Sequence, residues 1–164
     1  MPLAFTYPLM KRFTYWPQLF LGITFNYGII LGWTSIKEQI DIAAIILYFG
    51  AIFWTLGYDT IYGFQDIKDD EIIGLKSTSI KFKNKPLMFL TLCYSIFLFS
   101  LFIVGFFLEL SSIFYFVLII ISIQMFHFQL KKLDIEDSQK CLSIFKTNNL
   151  VGLLIMISLI GGKI

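Results

Sequence analysis

The polar residues best suited to chemistry lie between Tyr58 and Glu71. This stretch reads YDTIYGFQDIKDDE and places five acids within 13 positions, at the end of a long apolar run. An acid in membrane hydrocarbon costs roughly 2.5–3.5 kcal/mol, so Asp59 needs a partner or a polar cavity. If one helix continues through the stretch, intervals of three and four residues bring polar side chains to one face. That face would carry Asp59, Tyr62, Asp66 and Asp70, with Asp69 beside them.

These clustered carboxylates predict a site for a hard divalent cation. Like charges repel one another unless cations lie between them. Oxygen ligands with no His or Cys in the stretch suit magnesium or calcium better than zinc. Magnesium is usually held by one or two carboxylates together with substrate phosphates, so a site at a membrane surface indicates a phosphorylated amphiphile. Direct cationic contacts could come from Lys68, Lys76, Lys81 and Lys83. The alternative is a solvated charged loop that only fixes membrane topology.

The composition indicates that membrane helices position these residues. Of the 164 residues, 57% are hydrophobic and 15% are charged, and the mean hydropathy is +0.79. A soluble fold of this size could not bury so much apolar surface. The net charge of +2 and the lack of a basic stripe argue against nucleic-acid binding. Cys93 and Cys141 form no CxxC pattern, which argues against a zinc site or a disulfide framework.

Five apolar runs are close to the roughly 20 residues needed to cross a bilayer. They predict an all-α fold, a polytopic transmembrane bundle of about five helices. Pro17 and Pro86 begin two of them, where proline is favoured in the first helical turn. Asn148 and Asn149, near the start of the last, are expected to cap that helix or to hydrogen-bond across the bundle. The predicted spans are 17–36, 42–64, 86–108, 111–130 and 144–162.

The basic residues predict how the bundle is oriented. Eleven Lys and Arg fall on one side of the predicted spans and two, Lys37 and Lys163, on the other. Because Lys and Arg concentrate in cytoplasmic loops, we expect the amino terminus, the 65–85 loop and the 131–143 loop to be cytoplasmic. The expected location is the cell inner (plasma) membrane, as a multi-pass protein. The first ten residues, MPLAFTYPLM, are too short to span and read like the tail of a helix. They predict a larger protein or an upstream partner chain.

Three segments resemble the UbiA superfamily of membrane prenyltransferases, and specifically its 4-hydroxybenzoate polyprenyltransferases (octaprenyltransferase type). The run YDTIYGFQDIKDDEIIGLKSTSIKF is similar to the second aspartate-rich motif of that family. YPLMKRFTYWPQLFLG at 7–22 is similar to the helix connection before the motif, and CLSIFKTNNLVG at 141–152 to the start of the last helix. The three similarities occur in the family's order and cover nearly the whole chain.

The resemblance implies a nine-helix bundle around a central cavity, in which two aspartate-rich motifs hold Mg²⁺ and a polyprenyl diphosphate. Diphosphate leaves, and the ring of 4-hydroxybenzoate attacks the allylic cation meta to its carboxylate, in an early step of ubiquinone synthesis. Carried over by position, the metal ligands are Asp66, Asp69 and Asp70. The residues on the diphosphate side are Tyr58, Asp59 and Lys76, and the catalytic candidates are Lys76, Arg12 and Tyr62.

The family's first aspartate-rich motif, NDxxDxxxD, is absent from these 164 residues. Residues 1–164 are therefore interpreted as a partial UbiA-type domain that is inactive alone, because positioning supplies a large share of catalysis. A split gene, a gene relic and a partial sequence are equally compatible with this. The other function class left open is a noncatalytic membrane subunit that retains the fold. The expected partners are polyprenyl diphosphate, 4-hydroxybenzoate, the bilayer and a separate amino-terminal half chain.

Overall fold

The computed structural model describes residues 9–163, and within them all regular secondary structure is helical. Residues 9–13 are helical, but the expectation of a helix tail over the first ten residues falls mostly outside the described part of the chain. Five helices are long and apolar enough to cross a membrane, which confirms the predicted fold class. The first to fifth spans are Pro17–Lys37, Ile42–Gly63, Pro86–Phe107, Ser112–Leu130 and Ser138–Gly161.

Three of the spans depart from a regular α-helix in ways the sequence did not predict. The first is interrupted at Asn26, which separates helices Pro17–Phe25 and Tyr27–Lys37. The fourth changes from an α-helix to a π-helix over Gln124–Leu130. The fifth begins at Ser138 rather than near 144 and is interrupted at Thr147, between Ser138–Lys146 and Asn148–Gly161. Each interruption lies beside polar side chains that bond across the bundle.

The second and third spans form the centre of the bundle, where small residues allow a close approach. A Cβ atom at Gly57 would lie 2.6 Å from the Tyr94 ring, and one at Gly50 would lie 2.5 Å from the Ser100 Cβ atom. Both glycines therefore face the third span with no room for a side chain. Small residues at such contacts are typical of membrane helices that pack closely.

The two ends of the bundle are built from different elements. At one end, the short helices Ile67–Ile73 and Thr78–Phe82 follow the second span, and Asp70 of the first short helix bonds to Lys11. At the other end, the turn before the fourth span meets the end of the fifth, since the Ser111 amide donates to the Gly162 carbonyl at 2.8 Å. We call the first of these the charged end, because Lys11, Asp70 and Lys76 meet there.

Candidate functional site

The acidic segment does not form the continuous helical face expected from its spacing. The second span ends at Gly63, and a turn over 64–66 separates it from the helix Ile67–Ile73. Asp59 and Tyr62 therefore lie on a different helix from Asp70, and the shared face is a wrong prediction. Asp59 is half-buried within the span, while Asp66 and Asp69 are exposed. The turn includes Asp66 and separates the second span from Asp69 and Asp70.

Asp70 is the buried acid of the group and forms an ion pair with a residue that the sequence did not single out. Its side chain is 10% exposed, and its Oδ2 atom accepts from Lys11 Nζ at 3.1 Å. Lys11 precedes Arg12, the predicted catalytic cation, and Arg12 is exposed. A basic pair before the first span was visible in the sequence. Which of its two members meets the aspartates depended on the helical register of residues 9–13.

Backbone contacts carry Lys76 to the same place. Gly74 ends the helix Ile67–Ile73 in the left-handed conformation (φ 76°), which favours glycine. The Leu75 amide then donates to the Asp70 carbonyl at 2.8 Å, and the Lys76 amide to the Lys11 carbonyl at 2.7 Å. The Lys76 ammonium lies 3.5 Å from the Phe13 carbonyl oxygen. The structure thus brings two predicted residues, Asp70 and Lys76, together around Lys11.

A buried polar cluster holds the segment that carries Lys76, and this cluster was not predicted from the sequence. The Thr78 amide donates to Gln18 Oε1 at 3.0 Å, and the Thr78 and Thr60 hydroxyls lie 2.6 Å apart. The Ser79 hydroxyl donates to the Thr60 carbonyl at 2.8 Å. A Cβ atom at Gly63 would lie 2.4 Å from Ser79 Oγ, so this position requires glycine. The backbone that carries Lys76 is therefore held in place by buried hydrogen bonds to Thr78 and Ser79.

Aromatic side chains cover the second span toward the charged end. Tyr58 and Tyr62 both contact Phe145 of the fifth span, with ring centroids 5.8 Å and 4.8 Å apart. Tyr58 also meets the edge of Trp54 at 5.6 Å. The rings of Trp54, Tyr58 and Phe145 form one wall of a pocket of about 460 Å³, which we call the aromatic pocket, and Tyr62 lies outside its lining. Its lining includes Asn26, Trp54, Thr55, Tyr58, Phe145 and Asn148.

The donor set of the acidic segment fits magnesium. Among residues 9–163 no three His, Cys, Asp or Glu side chains lie close enough to hold a metal without other ligands. Magnesium rarely needs such a set, because one or two carboxylates and substrate phosphate oxygens complete its shell. The exposed Asp66 and Asp69 carboxylates, near the Asp70–Lys11 pair, are chemically suited to that arrangement. The assignment of Asp66, Asp69 and Asp70 as ligands stays a prediction.

Comparison with known proteins supports the resemblance seen in the sequence. The profile of the UbiA prenyltransferase family matches residues 1–151. Mitochondrial 4-hydroxybenzoate polyprenyltransferases from Bos taurus and Homo sapiens are 42% and 40% identical over 163 residues, which are 99% of this chain and 44% of each relative. The Arabidopsis thaliana protein is 38% identical over 162 residues, 98% of this chain and 40% of the relative. The chain thus spans less than half the length of these curated relatives.

A solved structure has the same fold. The apo structure of a UbiA homolog from Aeropyrum pernix K1 matches with a TM-score of 0.69 and 21% identity. The match covers 99% of this chain and 61% of that one. The five spans and the two short helices at the charged end therefore correspond to part of a larger helical bundle.

Proposed function

Because the chain belongs to the UbiA prenyltransferase family, we propose that it forms one wall of a site that transfers a polyprenyl group. The donor in this proposal is a polyprenyl diphosphate, the acceptor is 4-hydroxybenzoate, and the product is a ubiquinone precursor. The observation that carries the proposal is the identity of about two residues in five to 4-hydroxybenzoate polyprenyltransferases, extending over 99% of this chain. The cluster at the charged end agrees with it, since diphosphate recognition calls for cations and carboxylates together.

The reaction breaks the bond between the allylic carbon and the diphosphate oxygen, and the diphosphate leaves with the electron pair. The acceptor ring forms a carbon–carbon bond meta to its carboxylate and then loses the proton from that carbon. The ammonium groups of Lys11 and Lys76 offset the charge on the departing diphosphate. Arg12, exposed in the same segment, adds a further cation on the substrate side.

The acidic residues would hold Mg²⁺ against the diphosphate. Asp66, Asp69 and Asp70 are the proposed ligands, and the bound ion supplies positive charge to the leaving group. Asp59 and Tyr58, near the end of the second span, belong to the diphosphate side of the site. Tyr62 and Phe145 exclude water from the allylic cation, and aromatic faces also stabilise such a cation.

Other helices have to complete the site. The chain matches less than half of its relatives, and the motif NDxxDxxxD does not occur in its sequence. We propose that an amino-terminal part bearing that motif, in a separate chain or joined to this one, clamps the diphosphate from the opposite side. The charged end would lie on the side of the membrane that retains positively charged loops. The names of the curated relatives place those proteins in mitochondria, and the comparisons give no support for a plasma membrane location.

The test is magnesium-dependent prenyl transfer to 4-hydroxybenzoate in membranes. The chain is expressed alone and together with an amino-terminal part that carries NDxxDxxxD, with Asp66→Ala and Asp70→Ala alongside. We expect product in the combination and its loss in both variants. The matched control is Glu136→Ala, an exposed acid on another loop, which should retain activity. Absence of product from the combination, with both parts stably inserted, would refute the proposal and favour a noncatalytic subunit.

A further inference from the structure

A chain of hydrogen bonds crosses the bundle from the third span to the aromatic pocket. The Tyr94 hydroxyl donates to Gln129 Oε1 at 2.8 Å. Gln129 Nε2 donates to the Thr147 hydroxyl at 3.0 Å and lies 3.4 Å from Asn148 Oδ1. The same Asn148 oxygen accepts from the indole N–H of Trp54 at 3.0 Å. One oxygen atom therefore joins a buried amide to a side chain in the pocket wall.

Irregular backbone places both amides in this chain. Gln129 lies in the π-helix Gln124–Leu130, where the Lys131 amide reaches back five residues to the Phe126 carbonyl at 3.3 Å. π-turns of this kind are rare and occur frequently at functional sites. Asn148 follows the break at Thr147, and its Nδ2 atom donates to the Phe145 carbonyl at 3.0 Å. The π-helix of the fourth span and the break in the fifth thus lie side by side, joined by the hydrogen bond from Gln129 to Thr147.

The chain of bonds is buried and complete. Tyr94 and Gln129 are 0% exposed and Asn148 is 7% exposed. Within residues 9–163, no buried side-chain nitrogen or oxygen lacks a hydrogen-bond partner. A fully satisfied polar network gives little more stability than apolar residues of the same shape, but it fixes the positions of its members. The structural consequence is a defined position for the last member, Trp54.

Trp54 is held on three sides. Its indole N–H is bound to Asn148, its ring stacks on Phe97 at 5.2 Å with an interplanar angle of 9°, and its edge meets Tyr58 at 5.6 Å. The pocket beside it is lined by aromatic rings together with the polar side chains of Asn26 and Asn149. Flat apolar faces with a few amides suit a planar aromatic acid better than a polyprenyl chain.

We propose that Gln129 is a positioning residue that acts through Asn148 to hold Trp54 as the wall against which the aromatic acceptor stacks. This inference rests on the proposed function for the identity of the acceptor. The hydrogen bonds that link Gln129 to Trp54 through Asn148 do not depend on the proposed function. Gln129 itself lies behind the pocket wall and is not one of the residues that line it.

The first measurement needs no activity. The chain holds three tryptophans, at 16, 33 and 54, so labelling with 5-fluorotryptophan gives three ¹⁹F resonances, and Trp54→Phe assigns one of them. Gln129→Leu should move the Trp54 resonance and leave the other two in place. The control Ser158→Ala removes a buried hydroxyl that bonds only within its own helix, to the Ile155 carbonyl, and should move none. A Trp54 resonance that is unchanged in Gln129→Leu would overturn the inference.

The second measurement is kinetic and uses the chain with its amino-terminal complement. We expect Gln129→Leu to raise the KM for 4-hydroxybenzoate about ten-fold and to leave the KM for polyprenyl diphosphate within about two-fold, since only acceptor placement is altered. In a Trp54→Phe background the same substitution should have almost no further effect, because the link to the wall is already cut. Equal changes in both KM values, or an undiminished effect in that background, would show a merely structural role.

The two proposals can fail separately. If the unsubstituted protein gives no product, the proposed function fails, and the ¹⁹F shift still decides whether Gln129 positions Trp54. If product forms but the acceptor KM is unaffected, the pocket is not the acceptor site and the inference fails alone. Should Gln129→Leu not insert stably, Asn148→Leu removes the next link and should give the same shift and the same KM change.

Discussion

The charged end has two sides that are held in different ways. On the lysine side, residues 76–79, the backbone is fixed by buried bonds to Gln18 and Thr60. On the acidic side, residues 66–70, a seven-residue helix leaves Asp66 and Asp69 exposed, and Asp70 depends on an ion pair with Lys11. The lysine side can therefore orient a substrate before anything binds, whereas the acidic side has free oxygens to offer a cation. The following predictions test that difference.

The largest expected effect separates the two roles of Asp70. In the completed enzyme, Asp70→Asn should lower kcat/KM for prenyl transfer by roughly 100-fold or more, because it removes a proposed metal ligand. Lys11→Met breaks the same ion pair but keeps the carboxylate, and should cost roughly ten-fold or less. Steady-state assays over a series of magnesium concentrations check both. Equal losses would mean that Asp70 acts only through its ion pair, which would remove the functional distinction between the two sides.

A smaller effect is expected on the lysine side. Lys76→Met should lower kcat/KM roughly ten- to 100-fold by removing charge from the leaving-group side, and Lys76→Arg should restore part of it. The melting temperature should change little, because the Lys76 ammonium makes two long contacts, with the Phe13 carbonyl at 3.5 Å and with the Tyr15 ring at 5.7 Å from its centroid. Thermal unfolding in detergent is measured beside the kinetics. A large fall in melting temperature would show that Lys76 supports the fold, and would contradict a role confined to chemistry.

The buried Thr60–Thr78 pair, which supports the backbone near Lys76, should affect the free energy of unfolding. Thr60→Val leaves the buried Thr78 hydroxyl without its partner, which costs about 1–3 kcal/mol. Thr78→Val should cost less, because the Thr60 hydroxyl still donates to the Leu56 carbonyl at 2.6 Å. The double variant removes both hydroxyls and should be less destabilised than the sum of the single variants, by a coupling of roughly 1 kcal/mol. Equilibrium unfolding of the three variants measures this. Additive losses would show that the two hydroxyls act independently, and the lysine side would then be held less firmly than the contacts indicate.

The smallest effect is expected in the loop before the fifth span, where an exposed cluster provides a contrast to the buried pair at Asp70. A hydrogen bond from the Lys140 ammonium lowers the pKa of Asp134, and the Lys140 backbone amide lowers the pKa of Asp137. Because these pKa values are lowered, the stability that each carboxylate contributes is complete above the unfolded-state pKa near 4. It is lost as the pH falls through the lower folded-state pKa. Both carboxylates are exposed, so the contribution is small.

The measurement for this cluster is unfolding as a function of pH. Asp134→Asn with Asp137→Asn should leave stability at pH 7 nearly unchanged and flatten its dependence on pH only in the acid range. Glu136→Gln, in the same loop, serves as the control. A marked loss of stability at pH 7 would show that this exposed cluster stabilises the fold as much as the buried Asp70–Lys11 pair does, and would contradict the prediction.

Much of the fold could be read from the sequence because the bilayer imposes a simple requirement. A run of about 20 apolar residues must be helical in lipid, since every backbone polar group has to be satisfied within the segment. Four of the five spans were predicted to within a residue or so at each end, and Pro17 and Pro86 mark two of the starts. The start of the fifth was missed because Ser138–Lys146 is polar on one face and reads as a loop.

The candidate site was less predictable. The acidic motif and Lys76 were recognisable as residue types, but their arrangement depended on a turn at 64–66 that no glycine or proline within it announces. Lys11 could not be preferred to Arg12, because a basic pair has no periodicity that shows which member faces the bundle. Gln18, Thr60 and Gln129 were not identified, since single polar residues in apolar helices carry no sign of their partners.

The sequence by itself determined that this protein lies in a membrane, the number of its membrane spans, its family and the segment that carries charge. Hydropathy and local motifs are properties of neighbouring residues, and they need no knowledge of packing. The tertiary structure alone decided that Lys11 meets Asp70, that Gln18 and Thr60 support the backbone behind Lys76, and that Gln129 reaches Trp54 through Asn148. Those contacts join residues far apart in the chain, and only the register of packed helices brings them within hydrogen-bonding distance.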